Sequence, residues 1–239
     1  MKNLDYILFS GKKNDIYLDC GLKIKQYSIE DINENGIGYN RYENIIWSLT
    51  RYSYEFKFDL EDMGIDYKEV NTYDIFAMIS QSRDMKEVIE DLNFLFDDSF
   101  NIINGYLQSV RGIINKDTIE EIKEIFERIM FFKKPKERKP ANEDAKKMIK
   151  MQIKKNSKKK VAYDLYSIMY SIVLSPHSNE TYESMLKRTP HQIYASYLNI
   201  NQQKDFDNTM SGIYSGVISS KDIDFNKINW INKLNNDEK

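Results

Sequence analysis

The residues with the most pronounced chemistry in this sequence are cations gathered into one stretch. Residues 133–160 hold thirteen Lys/Arg and three Asp/Glu, a net charge of +10. The rest of the 239-residue chain holds 22 Lys/Arg against 34 Asp/Glu, and the total is only −2. Ammonium and guanidinium groups at this density neutralise phosphates or face a carboxylate-rich surface, so nucleic acid and an acidic protein are the partners suggested. Binding of single-stranded nucleic acid also uses aromatic rings among the cations, on which bases stack. Phe131 and Phe132 precede the stretch, but no aromatic interrupts it. A third reading is a Lys-rich connection kept soluble by its own charge. The candidate partner-binding residues are Lys133, Lys134, Arg138, Lys139, Lys158, Lys159 and Lys160, with Met148 and Met151 as unbranched apolar groups that adapt to varied surfaces.

Other constellations fall short of a site. His177 and His191, the two histidines, have neither Cys nor regularly spaced carboxylates beside them, and a metal needs convergent ligands. The carboxylates Asp59, Glu61, Asp62 and Asp66 lack the alternating oxygens, central Gly and closing Glu of a calcium loop, and read as a solvated acidic face. Gly36-Ile37-Gly38 lacks the third glycine of a dinucleotide fingerprint, and no Gly-x-Ser-x-Gly elbow exists. The single cysteine, Cys20, cannot form an internal disulfide and reads as a packed thiol. No catalytic residue, metal or cofactor is assigned, and the expectation is a protein that is not an enzyme.

The elements that position these residues follow from periodicity and turn chemistry. Hydrophobic residues make up 41% and aromatics 13%, a globular composition, and four Pro with nine Gly favour long regular elements. Residues 5–25 read as short strands, 6–9, 16–18 and 22–25, forming an amino-terminal β-ribbon. Ser28 with Asp31 signals a helix start, and Tyr42, Ile45, Ile46 and Leu49 fall at helical spacing. Asn71-Thr72 caps a helix over 73–79, and another runs over 85–96. Asn104-Gly105 between β-prone runs predicts a two-residue hairpin, with 111–115 as a further strand. Asp117 is placed as the cap of a helix whose stripe is Ile119, Ile122, Ile125, Phe126, Ile129 and Met130.

Pro135 and Pro140 bracket a loop before a mostly solvated helix over the Lys-rich residues. Helices then follow over 161–174, 182–187 and 191–217, with a closing segment that includes Trp230 and Ile231. The fold class expected is mainly α-helical α+β: an acidic domain over 1–132, a basic Pro-flanked joint over 133–160 and a helical domain over 161–239. No stretch approaches the roughly 18 apolar residues of a membrane span, and the amino terminus is too polar for a signal peptide. The expectation is a soluble cytoplasmic protein that does not engage membrane.

The order of certain motifs resembles a known group. The run Gly21-Leu22-Lys23-Ile24-Lys25-Gln26-Tyr27-Ser28, then Met63-Gly64-Ile65-Asp66-Tyr67 and Thr72-Tyr73-Asp74-Ile75-Phe76, is similar to small structural-operon proteins of tailed bacteriophages of low-GC bacteria. Phe131-Phe132-Lys133-Lys134-Pro135, Gly212-Ile213-Tyr214-Ser215-Gly216-Val217 and Lys227-Ile228-Asn229-Trp230 extend the likeness over most of the chain. Within that group the chain most resembles tail assembly chaperones, helical proteins encoded beside the tape measure protein that they bind before the tail tube polymerises. The resemblance implies phage tail proteins, the tape measure protein above all, as partners in the bacterial host cytoplasm. Self-association is a further expectation, and the family offers no catalytic residue to carry over. The rivals are a nucleic-acid-binding accessory protein using residues 133–160 and a minor structural component of the virion.

Overall fold

A computed structural model describes residues 4–11, 14–157 and 164–229. The fold is mainly α-helical with two small antiparallel sheets, and the described residues cluster into two units. The first spans the described residues up to 157 together with 189–191; the second holds 164–188 and 192–229.

The first unit opens with helix α1 (Leu4–Ser10), where the sequence suggested a strand over 6–9. Its buried residues are Leu4 and Leu8, four apart, while Tyr6 and Phe9 are exposed. A four-residue apolar run fits either period, and the i, i+4 burial decides for the helix. The amide of buried Gln26 holds the end of α1 by donating to the carbonyls of Ile7 (2.9 Å), Gly11 (3.1 Å) and Asn14 (2.6 Å). Strands β1 (Ile16–Tyr17) and β2 (Lys23–Ile24) then pair with Ile16 opposite Ile24, which makes the expected ribbon.

Helix α2 (Ile29–Glu34) starts at a capping box in which Ser28 and Asp31 satisfy each other's backbone N–H. Helix α3 (Tyr39–Thr50) buries Tyr42, Ile45, Ile46 and Leu49 as its periodicity predicts. A 3₁₀ turn and helix α4 (Lys57–Asp62) follow, and α5 (Thr72–Gln81) begins at a second capping box, Asn71 with Asp74. Helix α6 is Met85–Phe96. Strands β3 (Asn101–Ile103), β4 (Tyr106–Gln108) and β5 (Ile113–Ile114) make the second sheet in that order, and Asn104 and Gly105 both have positive φ, 53° and 80°, as a primed turn needs.

Helix α7 (Thr118–Met130) buries its whole predicted stripe. Its cap is a correction: Asp117 makes no capping bond, and the start is held by Asn115 and Thr118. Asn115 Oδ1 accepts from the N–H of Thr118 at 3.0 Å, while Thr118 Oγ1 accepts from the N–H of Asn115 at 3.0 Å. Asp117 itself sits in helical backbone, which is not the extended conformation a capping side chain needs. Helix α8 (Glu143–Ser157) ends the described part of this unit that is continuous in sequence. The second unit contains α9 (Leu165–Val173), α10 (Tyr182–Leu186), most of α11 (Pro190–Tyr214) and the short α12 (Phe225–Ile228). Trp230 and Ile231 lie outside the described residues. Among the described residues, no helix is long and apolar enough to cross a membrane.

Two turns far apart in sequence meet backbone to backbone. A Cβ on Gly21, whose φ is +91°, would lie 2.6 Å from the carbonyl oxygen of Arg111, and one on Gly112 would lie 2.8 Å from that of Cys20. Gly64 has a similar φ of +77° but open space where a Cβ would go. Urea denaturation should therefore separate strain from collision: Gly64→Ala should cost about 1 kcal/mol, and Gly21→Ala at least about 1 kcal/mol more.

The ribbon is also tied to the end of α6 by charge. Lys23 Nζ donates to Asp97 at 2.7 Å and lies 3.3 Å from Asp15. The hydrogen bond from Lys23 holds the Asp97 carboxyl below its ordinary value of 3.8. A carboxylate whose folded pKa is depressed contributes stability that is complete above the unfolded value and is lost as pH falls through the folded one. Asp97→Asn keeps a residue that accepts the local φ of 48°. This variant should unfold with a flatter pH dependence below about pH 4 in acid titrations followed by circular dichroism.

Candidate interaction surface

The basic stretch begins where α7 ends. Phe131 stops α7 in the left-handed region, φ 54°, and Phe132 then packs on Trp47 of α3 with ring centroids 4.1 Å apart and the rings tilted by 31°. From there the loop runs over a satellite cluster of Leu60, Tyr67 and Ile75, with Tyr54 and Phe56 against it. Tyr67 donates its phenolic proton to Glu137, and the N–H of Arg138 donates to Tyr54 Oη at 2.9 Å. The bond to Glu137 pushes the Tyr67 phenol up to about 12. Lys134 stands 5.9 Å from the centre of the Tyr52 ring, and Lys133 and Lys139 are exposed.

Helix α8 is capped by Asn142, whose Oδ1 accepts from the N–H of Ala145 at 2.8 Å. Lys146 and Lys150, four apart and so on one face, reach Glu61 and Asp62 at the end of α4. The Lys146 to Glu61 distance is 3.2 Å. Asp59, Asp62 and Asp66 are exposed, as a solvated acidic face requires, and Glu61 and Asp62 also pair with a basic helix of the same unit. Ala145 and Ile149 share that half-buried side of α8.

At 100° per residue, Met148 and Met151 fall on the opposite side of α8. They are 72% and 71% exposed, so the helix turns two large apolar side chains to solvent while its lysines hold it in place. Arg138 Nη1 donates to Gln152 Oε1 at 3.0 Å, which brings the loop cation against α8. The sequence candidates Arg138, Met148 and Met151 are thus brought together, Lys134 is drawn to Tyr52, and Lys158, Lys159 and Lys160 lie outside the described residues.

Two clefts of the first unit are lined by charged residues. One, of about 760 Å³, is lined by Arg41, Arg51, Arg83, Trp47, Glu55 and Asp59. Its guanidinium groups are engaged: Arg41 and Arg83 each reach the carboxylate of Asp91 at 2.6 Å, and Arg51 reaches Glu55 at 3.1 Å while stacking over Trp47. Asp91 is 1% exposed, the buried anion that this pair of arginines neutralises. The other cleft, about 640 Å³, contains Tyr52, Thr72, Glu120, Lys123 and Glu127. Tyr52 donates to Glu127, Thr72 to Glu120, and Lys123 Nζ to Thr72 Oγ1 at 3.1 Å. Burial lowers the Lys123 pKa and raises that of Glu127. These bonds satisfy one another, which is the arrangement of a structural polar network. Asp91 and Lys123 each interrupt the apolar stripe of a helix, and that interruption is the signal that could have found them.

Each histidine has a partner within its own unit. His177 stands 3.5 Å from Asp207 in the second unit, whereas His191 clusters with the first unit, where its Nδ1 lies 3.1 Å from the carbonyl oxygen of Arg128 and its ring stacks on Phe131. Among the described residues, no group of three or more His, Cys, Asp or Glu could hold a metal ion. The second unit exposes apolar residues of its own, Tyr170 and Leu174 near α9, and Tyr214 and Val217 where Gly216 turns the chain at the end of α11. No family model, curated protein or solved structure matches the chain.

If Glu61 and Asp62 hold α8, reversing both charges should loosen it without touching the main core. In the Glu61→Lys/Asp62→Lys protein, amide exchange over residues 143–152 followed by mass spectrometry should accelerate about tenfold, on the order of 1 kcal/mol, while α3 and α7 stay protected.

Proposed function

We propose that this chain is a non-enzymatic assembly chaperone of bacteriophage tails, which holds a tape-measure-like client through protein contacts in the host cytoplasm until the tail tube forms. The observation that carries this reading is the outward methionine pair of α8, Met148 and Met151, on a helix fixed from behind by Lys146 and Lys150. Their flexible thioether chains adapt to varied apolar surfaces, as a chaperone for a long helical client requires. The resemblance of the chain's motifs to tail assembly chaperones supports the same reading. It is weighed against nucleic-acid binding by the pairing of Lys146 and Lys150 with carboxylates of this chain, which removes two cations from those a phosphate backbone could meet.

The test is affinity capture of the tagged full-length protein from phage-infected cells, with mass spectrometry of its partners and of purified particles. The expected result is enrichment of the tape measure protein, loss of that enrichment in Met148→Ser/Met151→Ser, and absence of the chaperone from particles. Recovery of the protein as a stoichiometric particle component would assign it to the virion instead, and capture of DNA or RNA in place of a protein client would assign it to nucleic acid.

A further inference from the structure

We infer that the segment seated on α8 is an acidic amphipathic helix, its apolar side chains on Met148 and Met151 and its carboxylates on the cations to either side. This rests on the chaperone reading and adds the chemistry of recognition to it. Helical geometry sets the methionines side by side, three residues apart, as one short apolar strip. Lys147, four residues before Met151, borders the strip on one side, and its side chain is 74% exposed. Gln152, four residues after Met148, borders it on the other and carries the Arg138 guanidinium at 3.0 Å. The strip is therefore apolar along its centre and cationic along both margins.

A partner that fits this surface presents apolar residues at i, i+3 and i+4 flanked by Asp or Glu, the helix-in-groove mode with charge complementarity at its rim. A nucleic acid would meet the same cations but would gain little from two thioethers at the centre, and no aromatic ring lies among residues 133–152 to stack a base. A basic helix would meet like charge on both margins. Asp144, 91% exposed one turn before Met148, sits 3.9 Å from Lys147.

The inference is tested with the full-length protein and labelled synthetic peptides of about 20 residues, long enough to form a helix on binding. One carries leucine at helical spacing flanked by glutamate; its sibling carries lysine in place of every glutamate. Fluorescence anisotropy should show binding of the acidic peptide alone. Met148→Ser/Met151→Ser and Arg138→Glu/Lys147→Glu should each weaken it by about tenfold or more. All four positions are surface ones, and circular dichroism should show both variants folded. Equal binding of the lysine peptide, or acidic-peptide binding indifferent to both variants, would sink the inference. A short DNA duplex that binds through Arg138 and Lys147 with no dependence on the methionines would make the surface a nucleic-acid site instead. If infected cells yield a tape measure protein whose capture needs Met148 and Met151 while the acidic peptide fails to bind, the recognition chemistry is wrong and the chaperone reading stands. If the peptide binds as expected but no client is captured, the reverse holds.

Discussion

The first unit depends on the apolar seam between α3 and α7. Ile46 and Leu49 on one helix, and Ile122, Ile125 and Phe126 on the other, are completely buried. Each such side chain contributes about 1.5–3 kcal/mol by leaving water, so a handful of them outweighs all the surface ion pairs of the unit. Other placements follow from this seam. Arg41 extends from α3 to neutralise Asp91 of α6, and Trp47 of α3 receives Phe132 as the chain leaves α7. The basic loop therefore departs from a fixed point, and α8 and its methionines inherit their position from a core some distance away in the sequence.

Charge in this protein is segregated along the chain and partly recombined in space. The excess of carboxylates before residue 133 and the excess of lysines after it look like two independent tendencies, yet Glu61 and Asp62 take up Lys146 and Lys150. Surface pairs of this kind are individually weak. Two such pairs, a hydrogen bond from the Arg138 backbone to Tyr54 and the contact of Tyr67 with Glu137 hold α8 near the unit by interactions that salt and temperature can loosen, unlike the seam. A helix held in this way keeps a defined outward face and can still yield to the shape of what it meets.

Local chemistry was legible in the sequence wherever a signal resided within a few residues. The capping boxes at Ser28 and Asn71, the Asn104-Gly105 turn and the stripe of α7 all appear where their patterns place them. What was not legible depended on distant partners. The helix at Leu4–Ser10 is finished by Gln26, a residue that no local pattern connects with it. Asn115 outcompeted Asp117 as the cap of α7 because backbone conformation, not residue type alone, decides which side chain can turn back to an N–H. For the candidate surface, residue types marked the segment as cationic and methionine-bearing. The division of α8 into a held side and an outward side required knowing that α4 lies behind it.

The close approach of Gly21 to Arg111 and of Gly112 to Cys20 has a consequence for how the chain comes to be folded. The ribbon is made before the second sheet, yet its turn finds its seat only when the segment after β4 has been synthesised. Strand pairing this short has little stability alone, so the ribbon should remain unsettled through much of translation and lock late, together with the second sheet. The ribbon, made well before the second sheet, is in that sense completed only with it.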